Sequence, residues 1–257
     1  MIESMPIGIL AWCALAMLCG GLIKGALGVG TPLLTVPMLA MVLPPQQAVA
    51  IMAMPVIVAN LWQVKDAGSP RQTLVRFWPA FIALLAGTWV GVRILSGINE
   101  QALLFVVGIA VICFTLLQGS PRKITIPATR EKLAGLGFCS ASGVIGGLSS
   151  MFGPMLILYL VSLGSLNKNQ FVGTISFLYV GAVVPWVLIL VYHGVLDGPL
   201  AWASTLAVIP LVVGLAAGRA VRQRIREGLF HRLILGILLV SGASMLWRAW
   251  EFGSTTG

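Results

Sequence analysis

Lys24 is the one charged side chain that the hydropathy pattern places well inside an apolar run, and no acidic residue shares such a run with it. All seven acids (Glu3, Asp66, Glu100, Glu131, Asp197, Glu227 and Glu251) are terminal or in loops. A buried ammonium is costly without an anionic partner, and ionisable groups at membrane depth usually mark a ligand or ion path. With no carboxylate to meet it, the natural partner of Lys24 is an anionic solute; the alternative is a shallower position from which it snorkels to water. Lys24 opens onto Gly25-Ala26-Leu27-Gly28-Val29-Gly30-Thr31-Pro32, and 122 positions later the chain reads Gly147-Leu148-Ser149-Ser150-Met151-Phe152-Gly153-Pro154. Both segments interrupt apolar stretches. Thr31 before Pro32 is a helix-start signal, a capping hydroxyl followed by proline in the first turn, and Gly153-Pro154 is a weaker version. Helices that start there would aim unpaired N–H groups and a positive dipole end at each break, which suits an anion. The glycines would let backbone approach a ligand closely.

The substrate-binding candidates are therefore Lys24, Gly28, Gly30, Thr31, Ser149, Ser150 and Gly153 at the breaks. Asn60 and Gln63, on the next apolar run, add amide donors, with helix–helix hydrogen bonding as their alternative role. Trp62 and Trp186, 124 positions apart, are candidates to wall a cavity or simply to pack. Thr174 and Ser176 are weaker donor candidates for which a structural role is preferred, and His193 falls near a membrane boundary. The four cysteines, Cys13, Cys19, Cys113 and Cys139, lie in apolar segments without paired metal-ligand spacing, so no metal and no cofactor are expected. Two histidines and no carboxylate at membrane depth supply neither a nucleophile–base pair nor a metal cluster, so an enzyme is not expected. The missing acids also favour facilitated export, or coupling through the substrate's own protonation, over a carboxylate relay.

The elements that must position these residues follow from hydropathy. The chain is 58% hydrophobic and 9% charged, with a mean hydropathy of +1.01, against roughly a quarter charged in soluble domains. Its partner is the lipid bilayer. The net charge of +9 sits in short loops, which reads as orientation signals and not as a nucleic-acid surface. Met5 to Leu43 would extend about 58 Å as one helix, roughly twice the hydrocarbon thickness, so it must fold back or break. The expected fold is an all-α integral membrane protein of two inverted repeats, each a broken, re-entrant hairpin plus three transmembrane helices. The first repeat (1–118) has its hairpin at 5–43 and spans at 48–64, 77–92 and 102–117. A linker covers 119–132. The second repeat (133–257) has its hairpin at 133–163 and spans at 171–192, 200–218 and 233–250. Gly87 and Gly214, like Gly91 and Gly218, are 127 apart, and both GxxxG pairs suit close helix crossings.

If each hairpin enters and leaves by one side, the loops with Lys65, Arg71 and Arg76, with Arg122, Lys123, Arg130 and Lys132, with Lys168, and with Arg219, Arg222, Arg224, Arg226 and Arg232 all become cytoplasmic. Arg93 and Arg248 then face out, as do both termini. The segment Met1-Ile2-Glu3-Ser4 has no basic n-region, so no cleaved signal peptide is expected.

At these residues the chain resembles the sulfite exporter TauE/SafE family, also called the toluene-sulfonate uptake permease family. Gly25 to Pro32, with Leu33-Leu34-Thr35-Val36-Pro37, is similar to a family motif of the form G-x-x-x-G-x-G-G-G-x-x-x-x-P. Leu43-Pro44-Pro45-Gln46-Gln47-Ala48-Val49-Ala50 is similar to L-P-P-x-x-A-V-G, and Asn167-Lys168-Asn169-Gln170-Phe171-Val172-Gly173-Thr174 holds the equivalent place in the second half. The resemblance spans essentially the whole chain. It implies a secondary transporter, in the exporting direction, of a small anion such as sulfite, a sulfonate or sulfoacetate, in a bacterial inner membrane. An anion channel and a carboxylate uptake permease are the alternatives. Thr31-Pro32 and Ser149-Ser150-Met151-Phe152 depart from the family's glycines and would reshape the tips.

Overall fold

A computed structural model describes residues 6–28, 30–67, 70–119, 125–166, 168–221, 235–236, 239–240 and 242–251. Arg122, Lys123, Arg222, Arg224, Arg226, Arg232, Asn167 and residues 233, 234, 237, 238 and 241 of the predicted span 233–250 lie outside these, as do the side chains of Lys65, Arg71 and Lys168. In chain order the helices are α1 (Ile7–Leu27), α2 (Thr31–Ala40), α3 (Pro45–Ala50), α4 (Ala53–Ala67), α5 (Pro70–Gly97), α6 (Glu100–Gly119), α7 (Glu131–Ser149), α8 (Gly153–Ser162), α9 (Lys168–Tyr192) and α10 (Gly198–Val221). A short 3-10 turn, Ala128–Arg130, precedes α7, and residues 242–251 are helical.

Both apolar stretches break where glycine and proline predict. α1 stops at Gly28, whose φ of 85° is left-handed and whose N–H closes on the Lys24 carbonyl at 2.7 Å. α7 stops at Ser150, with φ 65° and its N–H on the Gly146 carbonyl at 2.7 Å. The offset of 122 thus holds for the first helix end, its left-handed cap and both bounds of the second helix. One detail differs from expectation. The N-cap of α2 is Gly30, at φ 102°, with no side-chain cap, and Thr31 is already inside the helix. A glycine free to turn left-handed takes the cap position, so the threonine hydroxyl caps nothing.

Each second helix folds back along the first. Trp12 Nε1 donates to the Met38 carbonyl at 2.8 Å and Thr35 Oγ1 to the Ala16 carbonyl at 3.3 Å, so α2 runs antiparallel to α1. Ser142 Oγ donates to the Phe152 carbonyl at 2.6 Å and the Tyr159 hydroxyl to the Glu131 carbonyl at 3.1 Å, giving α7 and α8 the same relation. The arms are unequal. The 21 residues of α1 extend about 31 Å, enough to cross hydrocarbon, while the ten of α2 extend about 15 Å.

Two glycine seams then tie the chain together. A Cβ on Gly21 or Gly25 of α1 would run into the carbonyl oxygen of Leu211 or Leu215, and one on Gly214 or Gly218 of α10 into that of Leu18 or Leu22. The contacts advance in the same direction along both helices, so α1 and α10 pack in parallel, each presenting a GxxxG face. α5 and α7 repeat the arrangement: Gly87 and Gly91 meet the carbonyls of Ser140 and Val144, and Gly143 and Gly147 those of Leu84 and Thr88. Each seam joins a hairpin arm from one half of the chain to a long helix from the other. Between the seams, α4 packs against α9 and α10, and α9 also packs against α5.

Outside this interior the surface is apolar. Trp78, Ile82 and Trp89 on α5, Leu188 and Val191 on α9, and Trp202, Ile209 and Val213 on α10 are all exposed. Among the described residues five helices are long and apolar enough to cross a membrane, and Thr31–Ala40, Glu100–Leu116 and Gly153–Ser162 are shorter apolar helices. An apolar exterior over several such helices matches a bilayer as solvent.

Candidate functional site

The two breaks meet through side chains from α4 and α9. Lys24, in the last turn of α1, is 3% exposed, and its Nζ donates to Asn60 Oδ1 on α4 at 2.9 Å. Asn60 is held for this by its own Nδ2, which donates to the Val56 carbonyl at 2.7 Å. One turn on, Gln63 Nε2 donates to the Gly28 carbonyl at 2.7 Å, and its Oε1 accepts from Ser176 Oγ of α9 at 3.1 Å. The Lys24 ammonium also lies 5.5 Å from the centre of the Tyr179 ring, within cation–π range. Tyr179 reaches the second break, where its hydroxyl lies against Gly153 and its ring meets Phe152 edge-to-face at 5.8 Å. Phe152 in turn meets Trp186 edge-to-face, and Trp186 Nε1 donates to the Gly147 carbonyl at 3.0 Å.

The geometry assigns the expected residues unequally. Lys24, Asn60, Gln63, Gly28 and Gly153 fall in one cluster that joins the breaks. Gly30 gives the turn its positive φ. Thr31 Oγ1 and Ser150 Oγ, one at each break, are buried hydroxyls with no hydrogen-bond partner. An unpaired buried hydroxyl costs on the order of 1–3 kcal/mol, which makes both of them candidate ligand contacts. Ser149 is different, because its hydroxyl donates to the Ile145 carbonyl at 2.6 Å and accepts from the Met151 N–H at 3.3 Å. Trp186 is fully buried, whereas Trp62 is 37% exposed with the Arg219 guanidinium 5.6 Å from its ring, so the two tryptophans occupy unlike places. His193 follows the last turn of α9 with its ring against Tyr192.

Tyr179 is the piece that sequence reasoning missed. A tyrosine within an apolar run carries no spacing signal, and the only hint is a polar tip in a helix otherwise suited to hydrocarbon. A separate cavity of about 210 Å³ lies further along α1 from Lys24, between Leu10, Cys13 and Met17 of α1 and Ala203, Leu206 and Pro210 of α10. Its lining is apolar, so it offers nothing to hold an anion. Among the described residues no group of His, Cys, Asp or Glu is placed to hold a metal ion.

Several membrane-length helices enclosing a buried polar cluster with one ammonium define a multi-pass membrane protein. The model of the sulfite exporter TauE/SafE family matches residues 13–245, and the chain belongs to that family. As a member it is a membrane transporter, of the class that moves sulfur-containing anions. Comparison with curated proteins and with solved structures finds no significant match.

Proposed function

We propose that this chain is a secondary carrier that exports a small organic or sulfur-containing anion, bound between the two helix breaks and moved by alternating access. The observation that carries the reading is the convergence of both breaks on Lys24, Asn60, Gln63 and Tyr179, with an unpaired hydroxyl at each break. Lys24 supplies the positive charge, Thr31 and Ser150 supply hydroxyls, and the starts of α2 and α8, which carry no side-chain cap, supply the positive ends of their helix dipoles. Asn60 and Gln63 orient the ammonium and the first break. The repeats lie upside down relative to each other, with both termini outside the cytoplasm of a bacterial inner membrane. The units that rock are the glycine-sealed pairs, α1 with α10 and α5 with α7, about the α4–α9 contact.

A carrier fits better than a channel because Lys24, Thr31 and Ser150 are closed off from solvent. A conducting pore would keep them wet. The test is counterflow of labelled sulfite and ethanesulfonate in proteoliposomes. Saturable exchange is expected, with Lys24→Ala reducing it at least about tenfold while the thermal unfolding profile stays cooperative. Full exchange by Lys24→Ala would remove Lys24 from the site, and unsaturable flux would favour a channel.

A further inference from the structure

We infer that the site at the helix breaks is built for one negative charge, so that monoanions are carried and dianions of similar size are refused. The inference rests on the anion-site reading above and adds to it the charge of the guest. The described groups at the breaks can be counted. One ammonium hydrogen of Lys24 goes to Asn60 Oδ1, and the face of Tyr179 covers another side of the ammonium. Among the described residues no ion pair involves Lys24, so its charge is left for the guest. Among the described residues the remaining contacts are neutral: Gln63 and Ser176 bonded to each other, the Tyr179 hydroxyl against Gly153, and the free hydroxyls Thr31 Oγ1 and Ser150 Oγ. Arg219, whose backbone packs beside Gly25, is exposed and carries its guanidinium over Trp62.

Hydroxyls and amides orient an anion but do not cancel its charge. Phe152, Trp186, Met151 and Leu156, at or near the second break, are all buried and apolar or aromatic. One ammonium in such surroundings balances one charge, and a second negative charge would be buried without a partner. The mixture of one cation, two hydroxyls and aromatic faces suits an organic sulfonate with a single charged end. It disfavours a guest charged at both ends, sulfoacetate included.

Purified full-length protein would be titrated with ethanesulfonate and with 1,2-ethanedisulfonate at matched ionic strength. Binding would be read by thermal stabilisation, and the same pair used as competitors in counterflow of labelled ethanesulfonate. The expected result is at least about 100-fold weaker binding of the disulfonate, the size of an uncompensated buried charge. Lys24→Arg should keep this preference and Lys24→Gln should lose ethanesulfonate binding. Comparable binding of both compounds, each lost in Lys24→Gln, overturns the single-charge inference and leaves the anion site standing. No stabilisation by either compound, or stabilisation untouched by Lys24→Gln, overturns the site and the inference together.

Discussion

Ser150 is the only non-glycine among the described residues with positive φ, and its hydroxyl is buried without a partner. Left-handed backbone costs a serine about 1–2 kcal/mol, and the lone hydroxyl adds to that. Such a combination persists where function needs it. Ser150→Gly is therefore expected to raise stability by about 1 kcal/mol, seen as a higher Tm in detergent, while lowering the rate of anion counterflow. A variant that is more stable and equally active would make Ser150 a packing residue. Asn60 makes the complementary case. Asn60→Asp keeps the shape but sets a carboxylate against Lys24, so anion exchange should fall at least about tenfold, whereas an Asn60 that only packs α4 would tolerate it. At this scale the sequence announced Lys24 through its isolation from acids and the breaks through glycine. Thr31 was misread because a Thr-Pro pair looks like a cap until a preceding glycine takes the left-handed turn. Tyr179 was invisible, since its part depends on contacts with both breaks that no spacing encodes.

The glycine seams carry the strongest predictions for the helices themselves. At Gly21, Gly25, Gly87, Gly91, Gly214 and Gly218 any Cβ meets backbone, which cannot step aside as a flexible side chain can. Alanine at Gly25 or Gly218 should destabilise by roughly 1–3 kcal/mol. Gly137 on α7 has open space around it, so Gly137→Ala should be neutral or slightly stabilising. Thermal unfolding of the three variants side by side would check the contrast, and equal Tm values would mean that the seams are not the tight contacts described. The GxxxG pairs of α5 and α10 were legible as crossing faces, but of their partners Gly25 and Gly147 were absorbed into the reading of the breaks, and Gly21 and Gly143 were not singled out. A glycine near a break serves two readings, and only the packing separates them. One ionic contact also joins elements: Arg76 at the start of α5 holds Glu131 at the start of α7 through Nε–Oε1 at 2.7 Å and Nη2–Oε2 at 3.0 Å, and also reaches Ser165 Oγ. The pair is partly exposed, so Glu131→Gln should cost no more than about 1 kcal/mol, measured in the same unfolding assay.

For the molecule as a whole, the all-helical membrane class was legible because hydropathy alone excludes a soluble core, and the breaks were legible because a glycine run followed by proline interrupts an apolar stretch too long for one helix. The pairing of helices was not, since parallel contact between α1 and α10 joins residues about 190 positions apart. The proposed topology makes a direct prediction. In a cysteine-free background, Ser96→Cys and Tyr192→Cys should react with an impermeant maleimide from outside, and Ala128→Cys only after the membrane is opened. Ser96 and Tyr192 on opposite sides would refute upside-down repeats. The interleaved seams also bear on how the protein is made. When the first half leaves the ribosome, the glycine faces of α1 and α5 have no mate, and at 5–20 residues per second α10 follows α1 by roughly 10–40 s. During that interval a nascent chain with bare close-packing surfaces sits in the lipid, dependent on the insertion machinery to keep it from wrong associations, and a truncated message encoding one half would yield a product with nothing to close against.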